Sequence, residues 1–487
     1  MIGSSNILRV NTATKRMIWI FVTLIVGLIA MRAANTLRLV YPGLALAVAG
    51  YLYARSRATY VSFTCWIWFF SPLVRRLADF QVGFQEQSPI LLAPYLVTAV
   101  CGLDLLTHAR SLGRPRSIPF VLAFGAVAYG VVIGLTKYSI VQIAPAILNW
   151  LVPLCFAFFL VESHSDYDAI RRSFESTFLI GTLLMGVYGV YQFFFFPPWD
   201  LLWLKNMKTT AFGSAEPMEI RAFSTMNAPV IFGLTIMTTL LVVLCSKSSF
   251  RLIAGIFGCL GLTLSLERAS WLGFVIGGLF VVWKMNARER RRIIIPAIIV
   301  CALSPIVSVV PEVRDVIEEK IKSTTNLDQD VSYQARIVGY QNAFALLARE
   351  PFGEGVGSPD IDHNKVDFDD TIGPHDSLFL ELLYSLGWSG SALYLAGMGL
   401  ITWRAFTHSA TEDPFEISMK GVWVAFFAQC LLNDIVYGGV GVFFWSAGAV
   451  QLAAIAHAEN ESVAEVAQSW AAVESTQPVA LQEEGGL

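Results

Sequence analysis

The sequence predicts an all-α, polytopic transmembrane helix bundle of about 12–14 spans, with one long extracytoplasmic loop containing short helices. Three observations predict it. Of 487 residues, 55% are hydrophobic and only 15% charged, against about 45–50% and about 25% in soluble domains. Mean hydropathy is +0.58. The apolar runs recur along nearly the whole chain, separated by short charged punctuation. With 34 basic and 37 acidic side chains the net charge is -3, so no bulk positive field exists to hold nucleic acid.

A cytoplasmic segment, 1–16, carries Arg9, Lys15 and Arg16 ahead of the first apolar run, 17–31. Met31-Arg32-Ala33-Ala34 after it imitates a signal-peptide cleavage site. More spans follow at once, which favours an uncleaved signal-anchor. Runs able to cross about 30 Å of hydrocarbon follow near 36–53, 59–74, 89–107, 118–135, 140–161 and 174–196. A second group lies near 228–245, 250–266, 270–284, 293–310, 377–402, 417–436 and 437–456. The seven cysteines all fall inside apolar runs and their number is odd, so neither a disulfide framework nor a CxxC metal site is implied. With the N-terminus inside, inner loops collect nineteen basic residues and outer loops nine, the one long loop aside. The excess predicts both termini inside.

Two outer connections exceed hairpin length. Residues 197–227 interrupt the bundle of 17–310, opening with Pro197-Pro198-Trp199-Asp200 and closing with Arg221 and Asn227-Ala228-Pro229. Residues 311–376 form a loop with fourteen acidic and six basic side chains, too long for an idle connector. Within it, Ile337, Tyr340, Phe344 and Leu347 fall at helical spacing across 334–349, a helix able to lie on the bundle or in the interface. Glu350-Pro351 ends that helix, and Gly353, Gly355 and Gly357 allow tight turns. Residues 377–456 return to the membrane. The tail 457–487 has six Glu and no Lys or Arg, and is expected to be a disordered cytoplasmic extension.

Several polar residues sit where orientation does not need them. Arg268 stands in Leu266-Glu267-Arg268-Ala269-Ser270-Trp271, between two apolar runs with almost no loop. A mid-membrane Arg costs about 2.5–3.5 kcal/mol on insertion scales, so either it has a partner, Glu267 among the candidates, or it snorkels to the interface. Arg221 precedes a span and Arg336 opens the loop helix; each is a candidate anion ligand or a solvated charge. Three guanidiniums on one side of the membrane could converge on phosphate oxygens. His375 lies where the acidic loop meets the span from Ser377. Its imidazole can act as a neutral base near pH 7, with Asp376 to orient it; Asp376 or Ser377 could equally cap the helix. Asp360, Asp362, Asp367, Asp369 and Asp370 raise a Mg²⁺ or Ca²⁺ site against a solvated acidic loop. Lys365 and Thr371 stand where an EF-hand needs Gly and Glu. No Walker A loop, HExxH or GxSxG occurs.

These residues carry a family resemblance. His375-Asp376-Ser377-Leu378-Phe379-Leu380-Glu381-Leu382, with Gly387 and Gly390 behind, resembles the His-Asn-x-x-Leu-x-x-Leu-x-x-x-Gly-x-x-Gly signature of the O-antigen ligase and polymerase superfamily. Arg336 to Gly357, ending Glu350-Pro351-Phe352-Gly353-Glu354-Gly355-Val356-Gly357, is similar to its stretch of an Arg, a short helix and Asn-Pro-x-x-Gly-x-Gly. Glu267-Arg268-Ala269-Ser270-Trp271-Leu272 resembles its Ser-Arg-x-x-x-Leu element, and Arg221 to Asn227 its Arg-x-x-Gly-x-x-x-Asn element. The matches span 221–390. Asp376 replaces the usual Asn, Glu267 the usual Ser, Tyr340 a common Trp and Ser224 a common Gly, so the subfamily stays open.

The resemblance implies glycosyl transfer on the periplasmic side of the bacterial inner membrane, from an undecaprenyl-diphosphate-linked glycan to an acceptor hydroxyl. Arg221, Arg268 and Arg336 would bind the diphosphate, His375 would be the catalytic base and Asp376 would support it; no cofactor or metal is expected. The superfamily's acceptors are a growing polymer, lipid A-core or a protein hydroxyl, and polysaccharide export or chain-length proteins are partners it suggests. The rival class is a lipid-linked oligosaccharide flippase or other secondary transporter, which predicts charges deep within several helices and pseudo-symmetric halves; a scaffold in a polysaccharide machine is a third.

Overall fold

The computed structural model describes residues 12–207, 212–294, 337, 338, 340, 341, 344, 345, 347–357, 377–408 and 413–476. These form an all-α polytopic bundle. In chain order come α1 (Thr12–Ala30), α2 (Ala34–Arg55) and α3 (Arg57–Val82), then α4 (Ala93–Ala99) and α5 (Leu103–Thr107), joined by a 3-10 turn. Next are α6 (Ile118–Lys137), α7 (Ile140–Glu162), α8 (Tyr167–Phe195), the short α9 (Pro198–Met207), α10 (Pro229–Cys245), α11 (Arg251–Leu264) and α12 (Arg268–Lys284). The bundle closes with α13 (Leu378–Thr407), α14 (Pro414–Phe427) and α15 (Gly438–Thr476).

Seven stretches among the described residues are long and apolar enough to cross a membrane: those of α1, α2, α4 with α5, α6, α7, α8 and α15. α3 and α13 have the length as well. Local signals set the helix boundaries. Ser56 separates α2 from α3 and its hydroxyl accepts from the Thr59 amide at 3.3 Å, an N-cap. Ser139 and Gln142 form a reciprocal capping box at the start of α7.

Three boundaries differ from the sequence expectation. The third span does not stop at 74: α3 continues to Val82, so Arg75 and Arg76 are buried helix residues rather than loop charges. The span expected at 417–436 is helical only to Phe427. Gln429, Asn433 and Asp434 then take the chain through a turn before Gly438. The last helix does not end near 456 but runs into the expected tail as far as Thr476, beyond which the tail lies outside the described residues. Ala and Glu dominate that stretch and favour helix without apolar packing. The span expected at 293–310 falls almost wholly outside the described residues.

Long faces pair α6 with α13, α7 with α15, α8 with α11 and α12 with α14. Small residues permit the close crossings: a Cβ on Gly186 of α8 would strike the α11 backbone at Phe257. The core is strongly aromatic. Trp423 of α14 stacks on Phe444 of α15 with ring centroids 4.5 Å apart, and the buried Trp445 indole donates to Tyr394 of α13 at 2.9 Å, so its N–H is not left unpaired in the apolar interior.

Candidate functional site

The alternation of the chain puts one set of helix termini at a common end: the finishes of α3, α6, α8, α11 and α14 and the starts of α10, α12, α13 and α15. Three constructions stand there.

The first is the segment between α8 and α10. Within it Gly213 bridges Ile220, the Arg221 amide donates to the Phe212 carbonyl at 2.8 Å and the Ala222 amide to Leu264 at 2.9 Å. The strip carrying Arg221 is therefore laid across the end of α11. Glu267, immediately before α12, receives the Arg221 guanidinium at 2.6 Å. The structure thus brings Arg221 to Glu267-Arg268, across a separation of 46 residues. Both guanidiniums are half-buried, and Arg268 is the first residue of the 17-residue α12. The amides and dipole of a helix N-terminus favour an anion, and among the described residues two guanidiniums meet one carboxylate there. Glu267, a local partner for Arg268 in the sequence reading, pairs with Arg221 instead.

Beneath this strip lies a construction that sequence reasoning missed. Arg76 is fully buried and pairs with the equally buried Asp200 of α9 at 2.8 Å. Its other terminal nitrogen donates to the Ser224 carbonyl at 2.5 Å, and its guanidinium lies over the Phe223 ring at 4.8 Å. Asp200 also accepts from Tyr188 at 2.9 Å and Gln192 at 2.6 Å. The Gln192 side-chain Oε1 in turn receives the Phe223 and Ser224 amides at 2.9 and 2.7 Å. One turn further along α3, Asp79 takes Arg38 at 2.5 Å and Arg75 at 3.3 Å. The signal in the sequence was the Arg75–Asp79 spacing of four, with no helix breaker between.

The third construction unites two glycine-containing motifs. Segment 350–357 inserts between α6 and α13. Gly353, Gly355 and Gly357 all have positive φ. The Val356 amide donates to Gly130 at 3.0 Å and the Glu354 amide to Tyr384 at 2.8 Å. α13 is kinked to receive the segment: Gly387 has φ +59° within the helix, and a Cβ there would strike Phe352. At the rim Lys137 pairs with Glu350 at 2.5 Å and Glu354 at 3.1 Å. The hydrogen bond from the Lys137 ammonium holds the Glu350 carboxyl below the usual glutamate range.

Arg336, His375 and Asp376 lie outside the described residues, as does the acidic run 360–370. Their neighbours are placed. Described residues from 337 to 349 are helical, with Leu347 buried, while Phe344 approaches Trp388 at 6.2 Å between ring centroids. Tyr340 and Ser377 share a hydrogen bond of 2.7 Å. Ser377 occupies the N-cap position of α13 without using its hydroxyl as a cap. That hydroxyl donates to the Cys430 carbonyl at 3.1 Å, and the Leu378 amide reaches the same oxygen at 2.9 Å. The residue next to Asp376 is thereby moored to the α14–α15 connection. One turn on, the buried Glu381 carboxylate accepts from Ser385 at 2.7 Å, another group the sequence reading did not single out. Among the described residues no three His, Cys, Asp or Glu side chains converge as a metal would need.

Residues 253–395 match the family model described as O-Antigen ligase. No curated protein and no solved structure matches the chain. The matched segment begins in α11 and ends in α13, so it contains Arg268, the glycine turns, the α13 kink and the positions 336, 375 and 376; Arg221 precedes it.

Proposed function

We propose, on the premise that residues 253–395 carry an O-antigen ligase domain, that this membrane protein is a glycosyltransferase. It moves glycan from a polyprenyl diphosphate, undecaprenyl in bacteria, to an acceptor hydroxyl during surface polysaccharide synthesis at the periplasmic face of the inner membrane. The observation that carries the reading is the meeting of Arg221 with Glu267-Arg268 at the start of α12. A diphosphate leaving group needs little proton donation, but its departure concentrates negative charge, and fixed cations aimed at that charge lower the barrier.

In the step, the acceptor oxygen forms a bond to the anomeric carbon while the bond from that carbon to the diphosphate oxygen breaks. The electron pair leaves with the polyprenyl diphosphate, and Arg221, Arg268 and Arg336 bind it. The hydroxyl proton passes to the neutral imidazole of His375, with Asp376 orienting the ring. Guanidiniums take the place a divalent cation has in other diphosphate chemistry. The lipid remains in the bilayer, and the acceptor is a growing polymer or lipid A-core.

The test is transfer by purified protein from a polyprenyl-diphosphate oligosaccharide in EDTA, comparing wild type with His375→Ala and resolving products by length. A ladder lost in the variant supports a metal-independent polymerase; a single transfer requiring lipid A-core supports a ligase. Normal product from His375→Ala at equal protein level removes His375 from the reaction. No product with any acceptor, while lipid-linked glycan crosses proteoliposomes, replaces the reading with a flippase.

A further inference from the structure

The opposite end of the bundle, where α6 starts and α13 finishes, holds a cavity of about 670 Å³ between the turn before α6, α13 and α15. Arg114, Arg116, Arg404 and His408 line it, with Glu459 as the one carboxylate in its wall. The cations are set differently. Arg404 is braced by donating to the Pro115 carbonyl at 2.5 Å. Arg116 pairs with Glu162 at 3.3 Å, yet its Nε is buried with no hydrogen-bond partner among the described residues. Arg114 is exposed and forms no ion pair among them. Three guanidiniums thus face Glu459 and Glu162, an excess of positive charge before His408 is counted.

The remaining wall is apolar: Leu400, Leu452 and Ile455. Trp403, the neighbour of Arg404 in sequence, also lines the cavity and is 65% exposed, the placement of an indole at a membrane–water boundary. The same Trp403 closes a second, apolar cavity of about 510 Å³ with Leu395, Met398 and Phe406, which extends along α13 toward the middle of the bundle. A free anion would need only the cations. Cations over an apolar wall that continues into an apolar groove suit a phosphate headgroup with an acyl chain attached.

We propose that this pocket binds an anionic phospholipid, with its phosphate between Arg114, Arg116 and Arg404 and its glycerol and upper chain against Leu400 and Trp403. The inference does not depend on the transferase reading: the pocket is at the other end of α13 from Ser377, a helix of 30 residues, about 45 Å at 1.5 Å per residue.

Native mass spectrometry of the full chain in detergent, with phosphatidylglycerol or phosphatidylcholine added, tests it. Preferential retention of phosphatidylglycerol is expected, weakened about fivefold by Arg114→Ala, since a juxtamembrane cation contributes about 1 kcal/mol toward an anionic lipid. The Arg114 side chain makes no hydrogen bond or ion pair among the described residues. Glu459→Gln is expected to change retention in the opposite direction, strengthening it. Equal retention of the two lipids, or retention of phosphatidylglycerol unchanged in both variants, overturns the proposal. Displacement of the lipid by millimolar inorganic phosphate overturns it too, by making the pocket a free-anion site.

Discussion

Arg76 places its whole charge inside the protein, joining Asp200 of α9 to Phe223 and Ser224, which follow Arg221 in the strip. Removing one partner of a buried ion pair leaves the other uncompensated, at a cost of about 3–5 kcal/mol. Arg76→Ala strands Asp200 in this way and releases the Ser224 carbonyl. The expected outcome is a lower unfolding temperature in detergent together with loss of transfer; unchanged unfolding would mean that Asp200 finds another partner. Arg268 tests a different property. If its forked donors read diphosphate oxygens, Arg268→Lys loses most of the transfer activity at equal protein level, and Arg268→Ala loses it completely. Full activity in the lysine variant would reduce the requirement to a point charge.

At the scale of elements, the 350–357 turn and the kinked α13 define each other, since neither conformation fits without the other's glycines. The glycines themselves were legible in the sequence, as was the end of the loop helix at Glu350-Pro351. Their use was not, because close approach between segments thirty residues apart leaves no local periodicity. The same holds for Glu267: its partner, Arg221, belongs to a different connection. The turn is latched by Lys137, and the latch depends on pH in a definite direction. Glu350 has a folded pKa below its ordinary value, so its contribution is complete above the unfolded value of about 4.3. It is lost as pH falls through the depressed folded value. Limited proteolysis after Arg349 is therefore expected to stay slow from pH 7 down to the ordinary glutamate range and to accelerate only below it. Lys137→Met is expected to be cut readily throughout that range.

For the whole molecule, hydropathy located nearly every described span to within a few residues, because burial in lipid demands long apolar runs whatever their partners. It failed at α3, where Arg75, Arg76 and Asp79 read as the start of a loop. A helix can carry such charges only if they are paired, and the partners Arg38 and Asp200 come from α2 and α9. Orientation rests on the distribution of Lys and Arg. With both termini inside, Lys205→Cys is expected to react with an impermeant maleimide in intact cells and Lys247→Cys only after lysis; the reverse pattern would invert the bundle. Background labelling is expected to be low, since five of the native cysteines are buried.

The two moorings of the long loop have a consequence for binding. Gly357 rests against Ile143 at the start of α7 and Ser377 is held by Cys430, so the nineteen residues between them, His375 included, close a ring on the bundle. Closing a loop of that length costs about 2–3 kcal/mol in chain entropy. Folding absorbs that closure cost once, so a ligand that binds within the ring does not have to bring its two ends together.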